Sequence, residues 1–215
     1  MSAYPPSKES YGWTSAFPLA TLLYSWTAQS KGISNEPTAT HKANLSLASN
    51  FLGKIPFSVR VSSGYRSQQL NDKITGASRT SQHLSGLAID VVPNTMSNKD
   101  LAEWLYQYRG NFPELDQVIW YRDSSHLHIG ICPPGAEGCA RSKARGEFLV
   151  ASKEGGTYYP WAPTKVDLAR QAALFAANRP LKTGAAVVLT GTLAAVGIAG
   201  TLLGVVWLLR KKGIL

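Results

Sequence analysis

The chain has 215 residues, room for one domain with a proper core and something appended to it. Lysine and arginine number 22 against 13 aspartates and glutamates, and the resulting net charge of +9 suits an anionic polymer or surface as partner. No stripe of interleaved basic and aromatic residues marks a nucleic-acid groove, so a nucleic-acid partner is not expected.

Residues 1–14 are rich in Ser, Tyr and Pro and read as a loose arm. Leu19, Leu22, Leu23 and Trp26 then recur at helical spacing and predict a first amphipathic helix over 18–30. "KGISNEP" breaks it, and a second helix starts near Pro37, buries Leu45, Ala48 and Leu52, and ends at Gly53. The period changes at "FSVRVSS", where Phe57, Val59 and Val61 alternate with polar residues as in a half-buried strand. "SGYRSQQLN" leaves that strand as a loop and opens a short helix, and "LAIDVV" (87–92) is a second strand. A third helix follows with Ser97 as cap and Asp100 three residues on, and "QVIWY" and "HLHIGI" are the third and fourth strands. Helices and strands mix without βαβ alternation, so the expected class is α+β. "GEFLVASKEGGTYYPWAPTK" reads as a linker, and "KVDLARQAALFAANRP" as a short helix at a membrane surface or an extension of an anchor.

The anchor is the span from Thr183 to Leu209, which carries no charge and exceeds the roughly 30 Å hydrocarbon core of a bilayer. It reads as a transmembrane helix. Gly200 and Gly204 form a GxxxG step through which two such helices could associate. Arg179 and Lys182 precede the span and Arg210, Lys211 and Lys212 follow it, a slight lean toward a cytoplasmic C-terminus. The first 30 residues lack the pattern of a cleavable secretory signal. Cys132 and Cys139 bracket a Pro/Gly turn, compatible with a disulfide in an oxidising compartment and equally with two free thiols.

Strand geometry sends alternate side chains to one face, so His126 and His128 of "HLHIG" point together while Leu127 and Ile129 face the core. In "LAIDVV" it places Asp90 in the middle of an apolar strand, where a buried carboxylate needs a cation, a set of donors or a metal. His83, in the loop entering that strand, is placed to share what Asp90 binds. Two imidazoles and one carboxylate make a catalytic zinc pattern with a fourth position left for water. The competing account pairs Asp90 with Arg66 or Arg60 and leaves the histidines as surface residues. Trp120, Tyr121 and Tyr65 either line a cleft or sit in the core, and His41 is assigned no function.

The ordered series "SGYRSQQLN", "SQHLSGLAID", "HLHIG" resembles the zinc D-alanyl-D-alanine carboxypeptidase family, which shares its fold with the Hedgehog signalling domain; the likeness covers residues 17–131. The resemblance implies a small antiparallel sheet with flanking helices and a Zn2+ cofactor held by His83, Asp90 and His128. It implies that His126 lies near the metal and acts as base or stabilises the oxyanion, that Arg66 binds a substrate carboxylate, and that Ser81 adds a hydrogen bond to substrate. Relatives often carry an acidic residue three before the ligand histidine. Here Ser125 holds that place, and Asp123 is the nearest carboxylate, so the base is His126 or Asp123.

On this reading residues 15–150 form a zinc peptidase domain, 151–182 a linker and juxtamembrane segment, 183–209 the membrane helix and 210–215 a basic tail. The expected activity is hydrolysis of peptide bonds in peptidoglycan stems or cross-links, as a carboxypeptidase or an endopeptidase. Peptidoglycan and the bilayer are the expected partners. The setting is a bacteriophage lysis or entry enzyme on a virion membrane, or a bacterial inner-membrane enzyme facing the cell wall. The alternative is a non-catalytic, membrane-anchored structural or wall-binding protein that keeps the zinc fold, since fold alone does not establish activity.

Overall fold

The computed structural model describes residues 17–139 and 144–170; the arm at 1–14, the span at 183–209 with Gly200 and Gly204, and the tail at 210–215 lie outside them. The first predicted helix is two: α1 (Leu19–Leu23) and α2 (Trp26–Lys31). Tyr24 is extended, and Ser25 turns from the first helix to cap the second by accepting a hydrogen bond from the Ala28 N–H. The break rotates Trp26 out of the apolar series, and it is 69% exposed. Helix α3 (Ala39–Gly53) runs as expected. Thr38 caps it, and His41, given no role by the sequence, completes a capping box by accepting from the Thr38 N–H at its Nδ1.

Strand β1 (Val59–Ser63), the short helix α4 (Gln68–Asn71), strand β2 (Ala88–Pro93), helix α5 (Asn98–Tyr108) and strands β3 (Leu115–Tyr121) and β4 (Leu127–Ile131) follow in the predicted order. Ser97 and Asp100 form the expected capping box of α5. Two more strands, β5 (Glu147–Ala151) and β6 (Tyr159–Pro160), complete a sheet of order β1-β2-β4-β3-β5-β6. The stretch read as a linker is thus joined to the sheet through residue 160, and 165–170 are helical.

The sheet is mixed, which corrects the antiparallel expectation: β5 runs parallel to β3, with Gln117 opposite Glu147 and Tyr121 opposite Ala151. The reason is topological. β4 is antiparallel to β3 and ends at Ile131 opposite Leu115, where β3 begins. β2 already occupies the other side of β4, so the chain joins the free edge of β3 from its starting end and travels in the same direction.

Register divides the sheet into two faces. Ile89, Ile129, Val118 and Phe148 stand side by side across four strands and enter the core with Leu45, Phe51, Leu52, Leu101 and Leu105 from α3 and α5. Each fully buried aliphatic side chain of this kind stabilises the fold by about 1.5–3 kcal/mol. One residue further along, Asp90, His128, Ile119 and Leu149 form the corresponding row on the opposite face. The alternation that builds the core therefore also delivers Asp90 and His128 side by side.

Candidate metal centre

His83 reaches this row from a 3-10 turn, Gln82–Ser85. Ser81 caps the turn, its Oγ accepting from the His83 N–H at 3.4 Å, and Gly86 closes it in the left-handed region at φ 74°. A side chain at Gly86 would also meet the His41 carbonyl of α3 at 2.9 Å, so glycine serves both the turn and the close packing of helix against turn. The loop after β1 grips His83 twice. The Arg66 N–H donates to the His83 carbonyl at 3.1 Å, and the Gly64 carbonyl accepts from His83 Nδ1 at 2.6 Å. Since a carbonyl only accepts, Nδ1 carries the proton, and the neutral ring turns the Nε2 lone pair toward Asp90 and His128.

His83 Nε2 stands 3.2 Å from Asp90 Oδ1 and 3.3 Å from His128 Nδ1, and His128 Nδ1 stands 2.9 Å from Asp90 Oδ1. Zinc bonds of about 2.0–2.1 Å in tetrahedral geometry would separate neighbouring donors by about 3.3 Å. The three buried donors thus fit the corners of one metal's coordination shell. Arg66 is also at this site: Nη2 donates to Asp90 Oδ2 at 2.8 Å, Nη1 to Glu154 Oε1 at 3.1 Å, and Nε to Ser63 Oγ at 3.0 Å. The two accounts of Asp90 are therefore compatible, because one carboxylate oxygen faces the histidines and the other faces the arginine. Arg60, the other proposed partner, is exposed on β1.

Burial opposes charge on Asp90, but the two histidines beside it outweigh burial and hold the carboxyl well below its ordinary range. Burial also pushes His83 downward, toward the neutral ring a metal requires. Tyr121 is held as a phenol, raised by its burial and by Tyr158 beside it.

A family model described as Peptidase M15 matches residues 15–130, more than half of the chain. The chain belongs to the peptidase M15 family. M15 peptidases are zinc-dependent, and His83, Asp90 and His128 form a group that could hold such an ion. Comparison with curated proteins and with solved structures gives no match.

In this M15 chain a cleft of about 340 Å³ opens onto the centre, lined by His83 and His128 and by Ser81, Tyr121, Glu154 and Tyr158 among others. Ser81 is thus both a cap of the turn that carries His83 and part of the cleft wall. Arg66 lies behind it, 4% exposed, with its donors committed to Asp90, Glu154 and Ser63. Asp123 is exposed, and neither it nor His126 lines the cleft. His126 instead packs against the Tyr121 ring at 5.1 Å, with its Nε2 buried and unpartnered among the described residues. Tyr65 is buried in the core against His41.

Among the cleft residues missed by sequence reasoning are Glu154 and Tyr158. Both come from the stretch taken as a linker, and their only signal there was a carboxylate and a tyrosine flanking a Gly-Gly pair. Cys132 and Cys139 are joined as a disulfide. It closes the turn after β4, and Glu137 and Gly138 within that turn pack on Asn44 and on Ser85 of the turn that carries His83.

Proposed function

We propose that this chain is a zinc-dependent peptidase that cuts peptide bonds in the stems or cross-links of peptidoglycan. The observation that carries the reading is the His83, Asp90, His128 cluster, whose two histidines line a cleft, in an M15 chain. His83, Asp90 and His128 would hold the metal. Zinc in that position supplies Lewis acidity, lowering the pKa of a water toward about 7 and polarising a carbonyl. Arg66 fixes the orientation of Asp90 and keeps its charge compensated on the side away from the histidines. Ser78, Thr80 and Ser81 bring hydroxyls suited to a peptide backbone to the cleft, which Tyr121 also lines from the sheet.

A carboxypeptidase of this kind would use Arg66 to hold a terminal carboxylate, and here that guanidinium is already occupied by two carboxylates. The commitment favours cleavage within a stem or cross-link. The net positive charge suits approach to an anionic wall, and the span at 183–209 would tether the enzyme to a virion or bacterial inner membrane facing it.

The test is to purify the full chain in mild detergent, measure bound zinc, and digest peptidoglycan while following fragments by mass spectrometry. One zinc per chain is expected, with new peptide termini that disappear on chelation and in His128→Ala. Fragments unchanged by either treatment would sink the proposal.

A further inference from the structure

Peptide hydrolysis needs a group that takes a proton from water and returns one to the departing amine, and neither candidate named by the sequence lines the cleft. Asp123 is exposed away from the cleft, and His126 is turned onto Tyr121. Among the described residues the carboxylates lining the cleft are Glu147 and Glu154.

Glu147 is held by Gln117 Nε2 at 2.6 Å and by Arg145 at 3.0 Å. It also lies far from the metal-binding row. Leu149 is two strands from His128, and Glu147 is two residues further along β5, which places it on the order of 10 Å from His128.

Glu154 is differently placed. One guanidinium joins it to the metal-binding carboxylate, with Arg66 Nη2 on Asp90 and Nη1 on Glu154 Oε1, so the two carboxylates are at most about 8 Å apart through that bridge. Its side chain is 26% exposed, and no other donor among the described residues reaches it, which leaves an oxygen available to the cleft. The loop that presents it is built for the purpose. A Cβ on Gly155 would meet the Gly76 Cα at 2.6 Å, and one on Gly76 would meet the Glu154 carbonyl at 2.8 Å. Two glycines at φ 84° and 75° thus let the segments on either side of the cleft cross in contact. Tyr158 steadies the crossing by accepting from the Gly155 N–H at 3.1 Å.

We infer that Glu154 is the proton-transfer carboxylate of this peptidase, supplied by the β5–β6 loop in place of the acidic residue that Ser125 replaces. The inference rests on the peptidase reading above. Glu154 accepts a proton from the attacking water as the new C–O bond forms at the scissile carbon. It returns that proton to the amide nitrogen as the C–N bond breaks, so one water is consumed and nothing is oxidised or reduced. Arg66 is then a positioning residue that aims both Asp90 and Glu154.

The experiment compares the full chain with Glu154→Gln and Glu154→Gly on muropeptides purified from peptidoglycan. The glutamine keeps an oxygen for Arg66 but cannot take the proton. Expected for it are a fall of about 10²–10⁴ in kcat, one zinc per chain by metal analysis, and unchanged binding of the uncut peptide. For Glu154→Gly the expected result is partial recovery of cleavage on adding formate, which a merely structural role would not allow. A Gln variant that cuts within threefold of the parent overturns the assignment alone. So does loss of zinc in step with loss of activity, since Glu154 would then be a prop for Arg66. A parent chain that binds zinc and leaves muropeptides uncut removes the peptidase reading and this assignment together.

Discussion

Replacing Gly64 by alanine would put a methyl carbon 2.2 Å from the Leu22 carbonyl oxygen and 2.9 Å from its carbonyl carbon. A comfortable C···O separation is about 3.3 Å, so one partner must retreat by about 1 Å. Leu22 is fully buried and its carbonyl already accepts from the Tyr65 N–H at 2.9 Å, so the movement falls on the end of β1. That segment carries the Gly64 carbonyl that fixes the His83 tautomer through a 2.6 Å hydrogen bond, and a displacement of this size breaks the bond. The expected cost is about 1–3 kcal/mol of folding stability from overpacking, with a fall of about 10–100-fold in zinc affinity from loss of the orienting partner. Urea denaturation in chelator reads the first, and competition against a chromophoric chelator reads the second. Gly110→Ala is the control, because its Cβ would meet nothing within 4 Å. A Gly64→Ala protein with the parent's urea midpoint and the parent's zinc affinity would refute the reasoning.

Arg66→Met leaves the Asp90 carboxylate buried without its cation and should cost about 3–5 kcal/mol in chelated protein. The loss should be smaller with zinc bound, because the metal compensates the same charge; equal losses in urea titrations with and without zinc would count against this account. Replacing both Cys132 and Cys139 by serine opens a short loop, and the chain-entropy model gives a loss of about 2–3 kcal/mol in urea denaturation. The pH dependence of the zinc-free protein follows from His83, which burial holds below its ordinary value of 6.5. The unfolded chain then takes up the proton first, so stability is level above that value and declines as pH falls below it. Asp90, also depressed, adds a further loss in more acid solution. Urea midpoints measured from about pH 8 to about pH 5 should trace that decline, and a flat profile would contradict the burial of a neutral His83.

What the amino-acid order determined by itself is local and periodic. The alternation in β2 set Asp90 within an apolar strand and that in β4 turned His128 away from Leu127 and Ile129, the Ser97 and Asp100 spacing announced a capped helix, and the loop entering β2 put His83 where it could share what Asp90 binds. Such signals survive in one dimension because they depend on residues within a few positions of one another. The helix break at Ser25 was invisible to the same periodicity, because a capping side chain outweighed the apolar repeat that continued through Trp26. Only the tertiary structure decided which neighbour each side chain meets. It set Arg66 between Asp90 and Glu154, turned His126 onto Tyr121, joined Cys132 to Cys139 and ran β5 parallel to β3. The parallel course of β5 and the meeting of Arg66 with Glu154 depend on strand order and on the free edge of β3, which no spacing within the chain encodes. Glu154 is the clearest case: its segment reads as a polar linker until two glycines are brought together and carry its carboxylate to the wall of the cleft.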